Sequence, residues 1–188
     1  MSDPASVADQ PSNPDSAIRI AAATLEDIPL ILTLIRELAA FEHLEAQVQG
    51  TPEALRAALF GAAPSAAAVI ARVAGEPAGF ALYFYNFSTF LCKPGLYLED
   101  LYVRPLYRGH GVGKRLLVHL AGLAVARECG RFEWAVLDWN RPARDFYESL
   151  GAAPNPEWIN HRLTGDALRR LAAAFSGRAA GESGCPAN

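Results

Sequence analysis

Between Tyr97 and Lys114 the chain reads YLEDLYVRPLYRGHGVGK, and this stretch constrains the fold more than any other. Tyr97–Val103 carries the aromatic and β-branched residues of a strand. Pro105 disfavours helix at Arg104 and ends it. Arg108-Gly109-His110-Gly111-Val112-Gly113-Lys114 then turns directly into a long helical pattern. A strand, a glycine-rich turn and a helix start together suit a phosphate. Glycine lets backbone N–H groups approach, and the first helical N–H groups are unpaired donors at the positive end of the dipole.

Two common phosphate motifs do not fit. A P-loop needs Gly, four residues, then Gly-Lys-Ser/Thr. Counting back from Gly113-Lys114 puts Arg108 where the first Gly belongs, and Arg115 replaces the magnesium-binding hydroxyl. ATP and GTP are therefore poor candidates. The dinucleotide fingerprint G-x-G-x-x-G fails at Lys114, where its third Gly belongs, and the motif lies mid-chain.

Arg-Gly-x-Gly-x-Gly after LEDLYV resembles the acetyl-CoA pyrophosphate loop of the GNAT N-acetyltransferase superfamily. Asp138-Trp139-Asn140-Arg141-Pro142-Ala143, with Asp145-Phe146-Tyr147 and Leu150-Gly151, resembles its second cofactor motif. Leu98-Glu99-Asp100, and Ile35-Arg36-Glu37-Leu38-Ala39 followed by Phe41-Glu42, are similar to the diamine (spermidine/spermine) and thialysine acetyltransferase branch. The resemblance runs from about Ile18 to Phe175. It implies an α/β (α+β) fold: a mixed, mostly antiparallel central sheet flanked by helices, whose fourth and fifth strands splay into a V-shaped gap for acetyl-CoA. It also implies a homodimer.

The remaining chain bounds the class. A length of 188 residues, 51% of them hydrophobic, fits one globular domain with a real core. We expect that domain at 17–175, between disordered tails at 1–16 and 176–188. The net charge of −3 offers no basic field for nucleic acid and suits a cationic substrate. No apolar run reaches membrane-spanning length, and the acidic N-terminus MSDPASVADQPSNPDS is no signal peptide, so a cytoplasmic location is expected. Cys92, Cys129 and Cys185 have no metal spacing, and their odd count speaks against a disulfide framework. His43, His110, His119 and His161 are scattered; no metal is expected.

Strands are expected at Ile18–Ile20, Ala67–Val73, Gly79–Tyr85, Tyr97–Val103, Phe132–Trp139 and Trp158–Leu163, with a turn at Gly75-Glu76-Pro77 and a loop from Asn86 to Pro94. Helices are expected from a Thr24 cap to about His43, with Ile28, Ile31, Ile35 and Leu38 buried, and from Pro52 to a stop at Gly61. Further helices are expected after Gly113, at Pro142–Leu150 under an Asn140 cap, and briefly after Thr164 with Leu168, Leu171 and Phe175 inward.

Acetyl transfer to an amine has four demands: hold the cofactor, deprotonate the amine, stabilise an oxyanion and protonate a leaving thiolate. Backbone N–H groups from Arg108 through Gly109, His110, Gly111, Val112 and Gly113 to Lys114 would grip the pyrophosphate, with the side chains of Arg108 and Lys114 adding charge. The backbone of Leu101, Tyr102 and Val103 would bond the pantetheine chain, and an N–H on that strand is the natural oxyanion donor. A tyrosine hydroxyl, protonated at neutral pH, suits the general acid; the resemblance places that acid at Tyr147, which from spacing alone would read as a packing aromatic. Asn140 contacts the cofactor, caps its helix, or does both. Glu99 and Asp100 are neighbours on a strand and should face opposite sides, so only one should meet the substrate. The resemblance favours Glu99 as the base, acting directly or through water. For the cationic tail the candidates are Phe41, Glu42 and Glu157, with Glu45 beside them; Phe41 stands where the polyamine enzymes carry Tyr. No cysteine has a histidine partner at motif spacing, which favours direct attack in a ternary complex over an acetyl-enzyme. The substrate expected is a polyamine, a diamine or a thialysine-like amino acid. The alternatives are a protein or peptide N-acetyltransferase and a non-catalytic acetyl-CoA-binding module.

Overall fold

The computed structural model describes residues 18–179; residues 1–17, with the expected N-terminal tail, and 180–188, within the expected C-terminal one, lie outside the described residues. The chain divides into two compact units after Val136.

The first unit is a sheet ordered β1 (Ile18–Ala22), β2 (Ala67–Val73), β3 (Glu76–Ser88), β4 (Lys93–Val103), β5 (Arg131–Trp134). Neighbours are antiparallel except β4 and β5, which are parallel. This is the mixed, mostly antiparallel sheet expected. β5 meets β4 only from Gly95↔Arg131 to Leu98↔Trp134, while β4 runs on to Val103 paired with β3 alone. The fourth and fifth strands therefore part after Leu98.

Local rules account for the helices α1 (Ile28–Glu42), α2 (Pro52–Phe60) and α3 (Val112–Ala126). Before α1, the Thr24 N–H and hydroxyl both donate to Asp27 Oδ2, at 2.9 and 3.1 Å. At its end His43 adopts a left-handed φ of 59°. The Thr51 hydroxyl accepts from the Ala54 N–H at 3.2 Å, with Pro52 at the first helical position. Ile28, Ile31, Leu32 and Leu34 of α1 and Leu59 of α2 close over Ile70, Phe80 and Tyr102 of the sheet. Each such side chain contributes about 2 kcal/mol on burial. Ile35 and Leu38, expected inside, are only partly buried, because α2 and the sheet shift the covered stripe toward Leu32 and Leu34. α3, which contacts β1 to β4, buries Val112, Leu116 and Leu120.

Several boundaries differ from expectation. The predicted loop 86–94 is mostly strand, because Asn86↔Gly95, Phe87↔Pro94 and Ser88↔Lys93 continue the hairpin; cross-strand pairing overrides the breakers Asn86 and Pro94. The turn before β3 is at Ala74–Gly75, and Pro77 is already in the strand. β5 stops at Trp134 rather than Trp139, since β4 offers it no partner beyond Leu98.

The second unit holds α4 (Arg141–Ser149) and α5 (Gly165–Ala179). The predicted strand 158–163 is absent: among the described residues no strand pairs with it, and Trp158 and Ile159 are 70% and 78% exposed. A lone strand has no ladder to stabilise it. α5 extends through 179, beyond the expected end of the domain. Leu168 and Leu171 are exposed rather than inward, and the Phe175 side chain lies outside the described residues.

Candidate active site

The edge of β4 past Leu98 carries a register shift. Phe84 pairs with Tyr97 and Leu82 with Asp100, so two residues of β3 span three of β4. The extra residue is Glu99, a β-bulge. Phe84 and Leu82 lie two apart on an unbroken strand and share a face; their partners Tyr97 and Asp100 therefore share it too, with the Phe84 and Tyr97 rings 5.1 Å apart. Asp100 thus stands on the face of Phe80 and Tyr102, toward α1. The expectation that strict alternation sends Glu99 and Asp100 to opposite faces is corrected here, since the bulge breaks the alternation on which it rested.

Three carboxyls gather as a result. Burial pushes Asp100 up to about 6, and the charges of Glu99 and Glu42 push in the same direction. Burial also raises Glu42, the last residue of α1. Among the described residues no cation pairs with Glu42, Glu99 or Asp100. Glu99 is exposed and Asp100 half-buried. Like charges held together without a counter-ion favour a bound cation. Asp100 was not among the residues assigned to substrate from sequence; only the bulge, set by pairing with β3, reveals it. Glu45 is exposed in the single turn after α1.

Beyond Val103 the turn is built as the glycine spacing predicts. Gly109 and Gly111 take φ of 77° and 81°, and Gly111 precedes α3 without a side-chain cap. A Cβ at either glycine would meet nothing within 4 Å, so these residues answer to backbone conformation and leave the loop open. Val112, 1% exposed, anchors the helix start. The Arg115 N–H reaches the Gly111 carbonyl at 3.0 Å, which leaves the N–H groups of the first turn, before Arg115, without a helical acceptor. That donor set fits a pyrophosphate. Lys114 is exposed beside it, and His110 Nδ1 lies 2.8 Å from the Arg108 carbonyl oxygen. Arg108 is engaged elsewhere: its Nε donates to the Val103 carbonyl at 2.9 Å, and its guanidinium lies 4.6 Å from the Phe41 ring centroid and 5.7 Å from that of Tyr102. Among the described residues no group of three metal-ligating side chains is found.

The profile of the acetyltransferase (GNAT) family matches residues 32–152, from α1 to just past α4. The chain belongs to that family. This acetyltransferase is 40% identical to the thialysine N-epsilon-acetyltransferase of Sus scrofa, over 84% of its own length and 98% of that enzyme's. It is 34% identical to an L-ornithine N5-acetyltransferase of Arabidopsis thaliana, over 81% and 87% of the two chains. An integron cassette protein of V. cholerae shares its fold with a TM-score of 0.71 and 26% identity, covering 83% of this chain and 98% of that one.

The second unit of the acetyltransferase holds the other expected residues. The Asn140 side chain caps α4, its Oδ1 accepting from the Ala143 N–H at 3.3 Å. Tyr147 is half-buried on α4, its ring 5.5 Å from that of Phe146. Gly151, with φ of 91°, follows the helix as expected. Glu157 is exposed in an irregular segment.

Proposed function

We propose that this acetyltransferase moves the acetyl group of acetyl-CoA to an amine of a small cationic molecule: a thialysine- or ornithine-like amino acid, a diamine or a polyamine. The observation that carries the reading is the group of Glu42, Glu99 and Asp100, without a cationic partner among the described residues, beside the unpaired edge of β4. The relatives, named for thialysine and ornithine acetylation, point the same way.

When bound, acetyl-CoA supplies the activated acyl group. The N–H groups from Gly109 to Lys114 hold its pyrophosphate, the expected Arg108 N–H being taken by the Pro105 carbonyl at 3.2 Å, and the backbone of Leu101, Tyr102 and Val103 lines its pantetheine chain. An N–H on this strand receives the charge that develops on the carbonyl oxygen. Glu42 and Asp100 hold the cationic part of the amine substrate, and Phe41 and Glu157 complete that set. Glu99, exposed at the bulge, takes the amine proton directly or through water. Tyr147 gives a proton to the departing thiolate, and Asn140 sets the start of its helix. Transfer is direct, in a ternary complex. In this reading one acetyltransferase domain spans 17–175, in a cytoplasmic homodimer; the family match over residues 32–152 supports the first part, and the branch resemblance the rest.

The test is thiol release from acetyl-CoA by the full-length protein against thialysine, ornithine, lysine, spermidine, putrescine and a basic peptide. Turnover with a small amine supports the reading. Turnover with the peptide alone, or CoA binding without turnover on any of them, overturns it.

A further inference from the structure

One side chain joins the glycine loop to the last turn of α1. Arg108 opens the loop, donates to the Val103 carbonyl at the end of β4, and lays its guanidinium against the ring of Phe41. Phe41 is 37% exposed, so its ring lies at the surface rather than enclosed in the core. It also sits immediately before Glu42, on the helix that presents the amine-binding carboxyl.

We propose that Phe41 is a positioning residue for the cofactor loop: its ring holds the Arg108 guanidinium, and with it the Gly109–Gly113 backbone, in the arrangement that accepts a pyrophosphate. The affinity for CoA then depends on a side chain of the helix that carries Glu42. An aromatic face attracts a cation through its quadrupole, which an aliphatic side chain of similar bulk lacks. The planar guanidinium stacks on a ring where an ammonium would not. The inference rests on the glycine loop being the CoA site, as proposed above.

Calorimetric titration of CoA into the full-length wild type, Phe41→Leu, Phe41→Tyr, Arg108→Ala and the Phe41→Leu/Arg108→Ala double variant tests it. The wild type should bind, Phe41→Leu should bind about threefold more weakly, and Phe41→Tyr should retain wild-type affinity. With Arg108 already removed, Phe41→Leu should cost less CoA affinity than it does in the wild type, because the cation that the ring holds is gone. A Phe41→Leu affinity equal to wild type overturns the proposal. So does an equal loss in both backgrounds, which would mark a general structural effect. Absence of CoA binding by the wild type would sink the loop assignment itself, a result distinct from either.

Discussion

Arg104 and Glu37 meet in a two-point ion pair, Nε to Oε2 at 3.0 Å and an NH2 nitrogen to Oε1 at 2.8 Å. The remaining NH1 nitrogen donates to the Pro77 carbonyl at 3.1 Å, so one guanidinium ties α1 to the β3–β4 edge. Donating to the Glu37 carboxylate raises the Arg104 pKa above its usual value. Both side chains are about 30% exposed, which limits the pair to about 1 kcal/mol. Glu37→Ala should lower the unfolding free energy by that amount, read from a drop in the denaturant midpoint, and the exchange Glu37→Arg/Arg104→Glu should recover part of it. An unchanged midpoint in Glu37→Ala would show the pair to be energetically idle.

Asp100 gives the fold a pH signature. Its pKa in the fold, about 6, lies above the ordinary 3.8, so the folded chain binds this proton more tightly than the unfolded one. Its ionisation therefore opposes folding, and stability should fall as pH rises from about 4 to about 6. Asp100→Asn should be more stable than the parent at pH 7 by up to about 3 kcal/mol and equal to it below about pH 4. Melting temperatures across that range decide the matter.

If Asp100 holds the amine as proposed, the same proton should govern its binding. Cation binding needs the ionised carboxylate, so the KM for the amine should fall as pH rises through about 6. Asp100→Asn should remove that limb. Glu42→Gln should move it to lower pH, because the Glu42 charge helps raise Asp100. A pH profile identical in all three proteins would separate Asp100 from substrate binding.

Tyr147→Phe should keep CoA affinity and lose about a hundredfold in kcat, the scale on which a positioned general acid acts. Calorimetry alongside single-turnover rates distinguishes this from a binding defect. Full activity would remove Tyr147 as the acid.

Gly111 separates conformation from charge. Its φ of 81° leaves open space around a Cβ, so Gly111→Ala should destabilise by about 1 kcal/mol through backbone strain alone. Gly111→Asp adds a negative charge where the pyrophosphate is proposed to bind and should weaken CoA at least tenfold beyond the alanine variant. Equal affinities in the two variants would refute the loop assignment.

What the sequence discloses here follows the range of the forces involved. Thr51, Asn140 and Gly151 act within one helical turn, and each lies where local capping rules put it, whereas α3 starts at Val112, just before the expected Gly113. The glycine loop is legible for the same reason. Asp100 near Glu42, Arg104 on Glu37 and Arg108 on Phe41 join residues far apart in the chain, through a strand register that no local pattern records. Trp158–Leu163 shows the converse: its composition suits a strand, but among the described residues it has no neighbouring strand.

The bulge at Glu99 makes the address of the neighbouring acid a matter of register rather than of residue identity. Were the same residues paired without the bulge, Leu82 would face Glu99 and Ala81 would face Asp100, sending Asp100 toward the α3 side and Leu101 toward α1. A homologue could keep Leu-Glu-Asp letter for letter, shift the bulge by one position, and present a different surface to its substrate. Between such homologues, agreement in an aligned column would be no guide to agreement in space.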